Sequence, residues 1–228
     1  MGKILPRSAS ADRIKTATLK ALLAARAHGG EIQTLAEARI AEVAAALADN
    51  EQKLNQARAN DDALHAALMA RDEESDQEIC AVCDEMWNAL GRPSRSVDYD
   101  IIVSGGKNVW TEGDPAKQPQ LMAVLAANIR ATKHPKLVDR KEAWASRIEQ
   151  KAAAQANAAA PTEAAYAQAS VLSMQRRTLA DSAQVGLTRL KRDLKNLGMT
   201  EAQAHEIIPD DQSAPSATAP APQPAPAA

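Results

Sequence analysis

Residues 31–90 read EIQTLAEARIAEVAAALADNEQKLNQARANDDALHAALMARDEESDQEICAVCDEMWNAL, sixty residues without a proline or a glycine. Nothing in the stretch breaks a helix. Apolar or small residues recur at Ala36, Ile40, Val43, Leu47, Leu54, Ala57, Leu64 and Leu68, a heptad pattern with Asn50 and Asp61 in the seam positions between. The seam drifts by one residue and resumes at Ile79, Val82, Met86 and Leu90, as a 3.6-residue helix does. A helix of this length extends about 90 Å. Asn50 and Asp61 either fix register or face water, and the pattern leaves both readings open.

The charge of this stretch implies a partner for it. Residues 31–90 carry 14 Asp or Glu against 4 Lys or Arg, a net of −10. Residues 133–198 carry 12 Lys or Arg against 6 Asp or Glu, a net of +6. A parallel homodimer would lay the acidic helix on itself and repel. Antiparallel pairing within one chain sets Asp72, Glu73, Glu74, Asp76 and Glu78 opposite Arg140, Lys141, Arg147 and Lys151. The same register predicts Asp49 near Arg176 and Arg177, Glu37 near Arg189, and Glu31 near Lys195. Exposed pairs of this kind are worth about 0–1 kcal/mol each, so they choose orientation more than they stabilise.

Composition agrees with a thin seam. Of 228 residues, 51 are Ala, none is Phe, and only three Trp and two Tyr supply aromatic area. Such a chain packs helices closely but cannot fill a thick globular core. Ser8 or Ser10 caps a first, basic helix within residues 1–30 that buries Ile14, Ala21, Leu22 and Ala25, ends at Gly29 and Gly30, and folds back on the acidic helix. Gly91 and Pro93 end the long helix. Residues 91–134 form the tip, where residues 97–103 (VDYDIIV) read as a short strand and Asn108 to Thr111 as a possible return strand across the turn Ser104 to Lys107. Asp114 followed by Pro115 reads as the start of a helix burying Leu121, Val124 or Leu125, and Ile129. Residues 135–208 hold a second long, basic helix, expected to kink or break at Pro161, and a short terminal helix opened by the capping box Thr200 to Gln203. Its seam includes Leu137, Trp144, Ile148, Leu172, Leu179, Ala183, Leu187, Leu190, Leu194 and Leu197. Residues 209–228 form a Pro/Ala tract with no means of building a core, read as disordered. Met1 to Arg7 is too short on apolar residues for a signal peptide, and no run is long enough to span a membrane.

Chemistry-bearing motifs are few. Cys80 and Cys83 form a lone CxxC inside a helix, without a redox fold around it and with His28, His65, His134 and His205 scattered. They read as small, reduced packing residues, consistent with a cytoplasmic location. Ser104 to Lys107 (SGGK) lacks the first glycine and the hydroxyl residue of a phosphate loop and reads as a turn. Arg189, Lys191, Arg192 and Lys195 could meet phosphates, but no aromatics are interleaved, and pairing with the acidic helix accounts for them. Trp87, Trp110 and Trp144 read as packing residues, Trp110 being the one exposed at the tip.

The expectation is an all-α protein: an elongated antiparallel long-helix hairpin, coiled-coil-like, with an extra N-terminal helix and a tip containing a short β-hairpin. It is expected to be a non-enzymatic scaffold or adaptor without cofactor, metal or small-molecule substrate. It would self-associate or present Tyr99, Ile101, Lys107 and Trp110 at its tip to a protein partner. The alternatives are a membrane-acting protein inserting its tip, against which Asp98, Asp100, Lys107 and Glu112 argue, and a nucleic-acid-binding protein using the basic arm. Small-angle scattering of a long hairpin should give a maximum dimension of about 90 Å or more. A sphere-like profile would contradict it.

Overall fold

The computed structural model describes residues 5–6 and 8–208. The expectations for residues 209–228 and for most of Met1 to Arg7 lie outside them. In chain order the elements are α1 (Ala11–His28), α2 (Gly30–Ala36), a π-helical turn (Glu37–Ala41), α3 (Glu42–Leu90), α4 (Val97–Ile102), α5 (Asn108–Thr111), α6 (Gln118–Ala131), α7 (Pro135–Val138), α8 (Lys141–Asn196) and α9 (Glu201–Ile207). No strand occurs among the described residues, so the chain is all-α. It divides into two compact units, one of the described residues up to Lys53 with those from Leu172 on, the other Leu54–Val171, and α3 and α8 contribute to both.

In the first unit, Ser10 starts α1 by accepting the Arg13 N–H, and Gly29 ends it with its N–H on the Ala25 carbonyl. The face of α1 carrying Ile14, Ala21, Leu22 and Ala25 is buried, as its spacing predicts. It packs with Ile40 and Leu47, with Ala183, Leu187, Leu190 and Leu194 of α8, and with Ile207 of α9. Thr200 and Gln203 complete both halves of the capping box. The π-helical turn and α3 run antiparallel to α8: Arg39 of the turn meets Asp193 at 2.7 Å and Glu51 of α3 meets Arg176 at 3.8 Å. Asn50 is a seam residue, 4% exposed, and its Nδ2 donates to the Leu172 carbonyl at 3.3 Å.

In the second unit the acidic face of α3 is laddered to α8, again antiparallel. Trp144 Nε1–H donates to Glu85 Oε2 at 2.8 Å, Arg147 joins Glu85 and Glu78 at 2.8 and 2.6 Å, and Lys151 reaches Glu74 at 3.0 Å. Around it Ile79, Val82, Met86, Met122, Leu125, Ile129, Leu137, Trp144 and Ile148 make one core. Seven of these side chains are branched aliphatic or aromatic groups drawn from four helices, which compensates for the alanine-rich seam.

Several expectations are corrected. The strand at residues 97–103 is a helix, α4, because Ser96 Oγ accepts the Tyr99 N–H and Asp98 and Asp100 lie in the first turn, where carboxylates favour a helix N-terminus. Packing on α6 buries Ile102 and Val103, overriding the β-branched pattern. Asn108 to Thr111 is α5, and the turn between, with φ of 80° and 86° at Gly105 and Gly106, joins two helices. The helix α6 starts at Gln118, three residues after Pro115, since Asp114 closes a turn by accepting from Ala116 at 3.1 Å; Met122 takes the buried place assigned to Leu121. Pro161 does not break α8. Pro161 and Asn157 are both exposed, so the Asn157 carbonyl, which loses its helical donor, faces water.

The ion pairs beyond the tip also differ. Arg176 pairs with Asp12 of α1 and with Glu51, not with Asp49, which pairs with Lys53. Glu37 pairs with Arg26 rather than Arg189, and Lys195 with Glu201 rather than Glu31. The two short helices α1 and α9 supply nearer counter-charges than the opposite long arm does.

Gly186 lies inside α8, where glycine is costly. A Cβ there would stand 2.8 Å from the Arg39 carbonyl oxygen and 3.0 Å from Ile40 Cγ2, both in the π-helical turn. Gly186→Ala should therefore lose stability by about 1 kcal/mol or more in chemical denaturation, overpacking outweighing helix propensity. A neutral or stabilised variant would mean that the turn yields freely.

Candidate functional site

The tip is the most elaborated part of the second unit. Its helices α4, α5 and α6 stand on the C-terminal end of α3, with α4 and α5 both packed on α6. Asn128 Nδ2 ties α6 to the Ile102 carbonyl at 3.3 Å. Gln118, 4% exposed, donates through Nε2 to the Trp110 carbonyl at 3.3 Å and to Asp76 of α3.

The four residues predicted at the tip's recognition surface have separate fates. Ile101 is 67% exposed, as a contact residue requires. Tyr99 is half-buried, its ring edge-on to Trp87 with centroids 4.8 Å apart. Its hydroxyl meets the Cys83 thiol, and burial raises the phenol's pKa. Lys107 is bonded to Asp84 of α3 and so anchors the α4–α5 turn. Trp110, expected at the surface, is 5% exposed: it fills the floor under α6, and its Nε1–H has no acceptor among the described residues. Burying the large indole ring in the core under α6 gains more than leaving it at the surface.

The surface that remains open is aliphatic. Val97, 70% exposed, and Ile101 are one turn apart on α4 and share its outer face. On α6, Leu121 and Val124 are exposed as well. The sequence reading named Ile101 and not Val97; the exposure of Val97 comes from how α4 lies on α6, which the sequence alone does not fix.

Cys80 and Cys83 are free thiols. Burial pushes the Cys83 thiol up to about 11, which keeps it protonated at neutral pH. Among the described residues no three His, Cys, Asp or Glu groups are placed to hold a metal ion, and no helix is long and apolar enough to cross a membrane.

A groove of about 590 Å³ lies below the tip, between α3, the loop at Gly113–Ala116 and α8. Asp61, Asp62, His65, Asp72, Asp114 and Glu163 give its polar lining, and Leu68, Met69, Pro115 and Tyr166 its apolar one. Asp72 and Asp76 are neighbours whose amide partners, Gln155 and Gln118, are neutral. Burial raises the pKa of both carboxyls. Glu85 is the opposite case: hydrogen bonds from Trp144 and Arg147 hold its carboxyl below the usual range.

These shifts have opposite signs in stability. The Asp72 contribution is favourable below the ordinary pKa of 3.8 and is lost as pH rises through its raised folded value. The Glu85 contribution is present above 4.5 and is lost as pH falls through its lowered folded value. At pH 7, Asp72→Asn should therefore equal or exceed the native melting temperature, keeping an acceptor for Gln155, whereas Glu85→Gln should lower it. Calorimetry at neutral and acid pH checks both, and a destabilised Asp72→Asn would contradict the assignment.

Comparison with protein-family models, curated protein sequences and solved structures finds no match to this chain.

Proposed function

We propose that the protein is a non-enzymatic adaptor or scaffold that presents its tip to a protein partner. The observation that carries this reading is the pair Val97 and Ile101, 70% and 67% exposed on one face of α4. Large aliphatic side chains are scarce in this chain, and most are used in its two cores. Two set side by side in water hold back burial worth about 1.5–3 kcal/mol each, which a partner can supply. Leu121 and Val124 of the neighbouring α6 enlarge the aliphatic surface. The tip helices are fixed from below by Trp110, Gln118 and the Lys107 pair, so the surface is presented without an ordering cost. Reduced Cys80 and Cys83 fit a cytoplasmic setting.

Val97→Ser/Ile101→Ser tests the reading. The double variant should keep native helicity and melting temperature, because neither side chain is in the core. It should lose the protein that the native chain captures from native lysate, or the self-association seen by light scattering. Unchanged capture or assembly by the variant would move recognition elsewhere. A native chain that stays monomeric and captures nothing would argue against an adaptor.

A further inference from the structure

The ion-pair ladder between α3 and α8 stops at Asp72, and what lies beyond it has no counter-charge. Glu85, Glu78 and Glu74 each meet an Arg or Lys of α8. Residues 152–175 of α8 then contain no Lys or Arg. Asp61, Asp62, Asp72 and Glu163, all lining the groove, have no cation within 4.0 Å among the described residues, while Asp114 is held by Lys117. Four carboxylates facing one concavity without a cation raise its negative potential, because low-dielectric walls focus the field.

A second observation is independent of the charge. Gln155, 0% exposed, sits against two walls of the groove, its Nε2 donating to Asp72 Oδ1 at 2.8 Å and to the Pro115 carbonyl at 2.9 Å. Its Oε1 has no donor among the described residues. That oxygen has no exposed surface and does not open to the groove; what the amide contributes is a tie between the Asp72 and Pro115 sides, which holds the walls in place. The groove also offers apolar wall: Leu68 is buried at its floor, and Met69 and Tyr166 are 44% and 67% exposed at its rim.

We propose that this groove seats a basic segment of the protein partner, its Lys or Arg side chains on Asp61, Asp62, Asp72 and Glu163 and its apolar side chains on Leu68, Met69 and Tyr166. The proposal rests on the adaptor reading and names the chemistry of the partner. Charge complementarity selects a cationic occupant. A lone metal ion leaves the apolar wall uncovered, and the described residues hold no three-ligand cluster for one. Asp61 and Asp72 are separated by about 16 Å of helix, the length of about five residues of extended peptide. An Arg at the rim can also stack on the Tyr166 ring while its guanidinium meets a carboxylate, a geometry that Lys does not match.

The probe is a fluorescein-labelled peptide of alternating Arg and Leu, titrated against the full chain by anisotropy. Saturable binding that weakens with salt is expected. Asp61→Asn/Asp62→Asn/Glu163→Gln should weaken it about tenfold or more, while Glu31→Gln/Glu42→Gln/Glu73→Gln, which removes the same charge from exposed positions elsewhere, should leave it within about twofold. Equal weakening by the two triple variants, equal binding of a citrulline-for-arginine peptide, or no binding at all would overturn the proposal. So would tighter binding of spermidine, which would assign the groove to a small polycation. Val97→Ser/Ile101→Ser should keep the peptide affinity, so failure of the α4 surface and failure of the groove are read separately.

Discussion

The contact on which the rest of the second unit depends is the one Trp144 makes with α3. Its indole is buried while its N–H reaches Glu85, and Arg147, less than one turn further along α8, holds the other oxygen of that carboxylate and Glu78. One residue thus joins the apolar seam to the ion-pair ladder and sets which turn of α8 faces which turn of α3. Lys151 on Glu74 and Gln155 on Asp72 follow in step. An aromatic anchor with a satisfied polar tip specifies register where alanines cannot, because small side chains slide past one another with little penalty.

Alanine-rich helices meet closely but bury little area, so each unit thickens its seam with short helices. In the first unit α1 and α9 bring Ile14, Leu22 and Ile207 onto α8. In the second, α4 to α6 bring Ile102, Trp110, Met122, Leu125 and Ile129 onto the C-terminal end of α3. Where the seam of the second unit runs without that cover, past Leu68, Ala159 and Thr162, the groove opens. Its acidity and its exposure have one origin: no third helix is there to cover it or to neutralise it.

Periodicity made the long helices legible, and local hydrogen-bonding chemistry made their ends legible. Ile40, Leu47, Leu54 and Leu68 are buried where a heptad places them, and Ser10, Thr200 and Gln203 cap the helices they were assigned. At the tip, VDYDIIV satisfies two patterns. Its β-branched run suggests a strand, while Ser96 and the two aspartates suit a helix start, and burial of Ile102 and Val103 under α6 decided between them. Asn50 had two open readings, and the seam one holds: it is buried against the Leu172 carbonyl. The π-helical turn at Glu37–Ala41 left one sign in the chain, a glycine at 186 inside a helix, whose meaning depends on a backbone 147 positions away.

Of the candidate surface, Ile101 was readable from its place in the tip; positions 97 and 101 share a face in a strand and in a helix alike, and what singles out Val97 is its 70% exposure. The groove was hidden by the scale at which charge was counted. A net of +6 over residues 133–198 is two clusters, six basic residues up to Lys151 and six from Arg176 on, with none between. The central claim is that α3 and α8 pair antiparallel within one chain, in the register that sets Lys151 on Glu74 at 3.0 Å. Zero-length carbodiimide cross-linking, with the monomer isolated and mapped by mass spectrometry, tests it most directly. An intramolecular Lys151–Glu74 bond is expected; cross-links between the α3 helices of two chains, with none joining Lys151 to Glu74, would rule the register out.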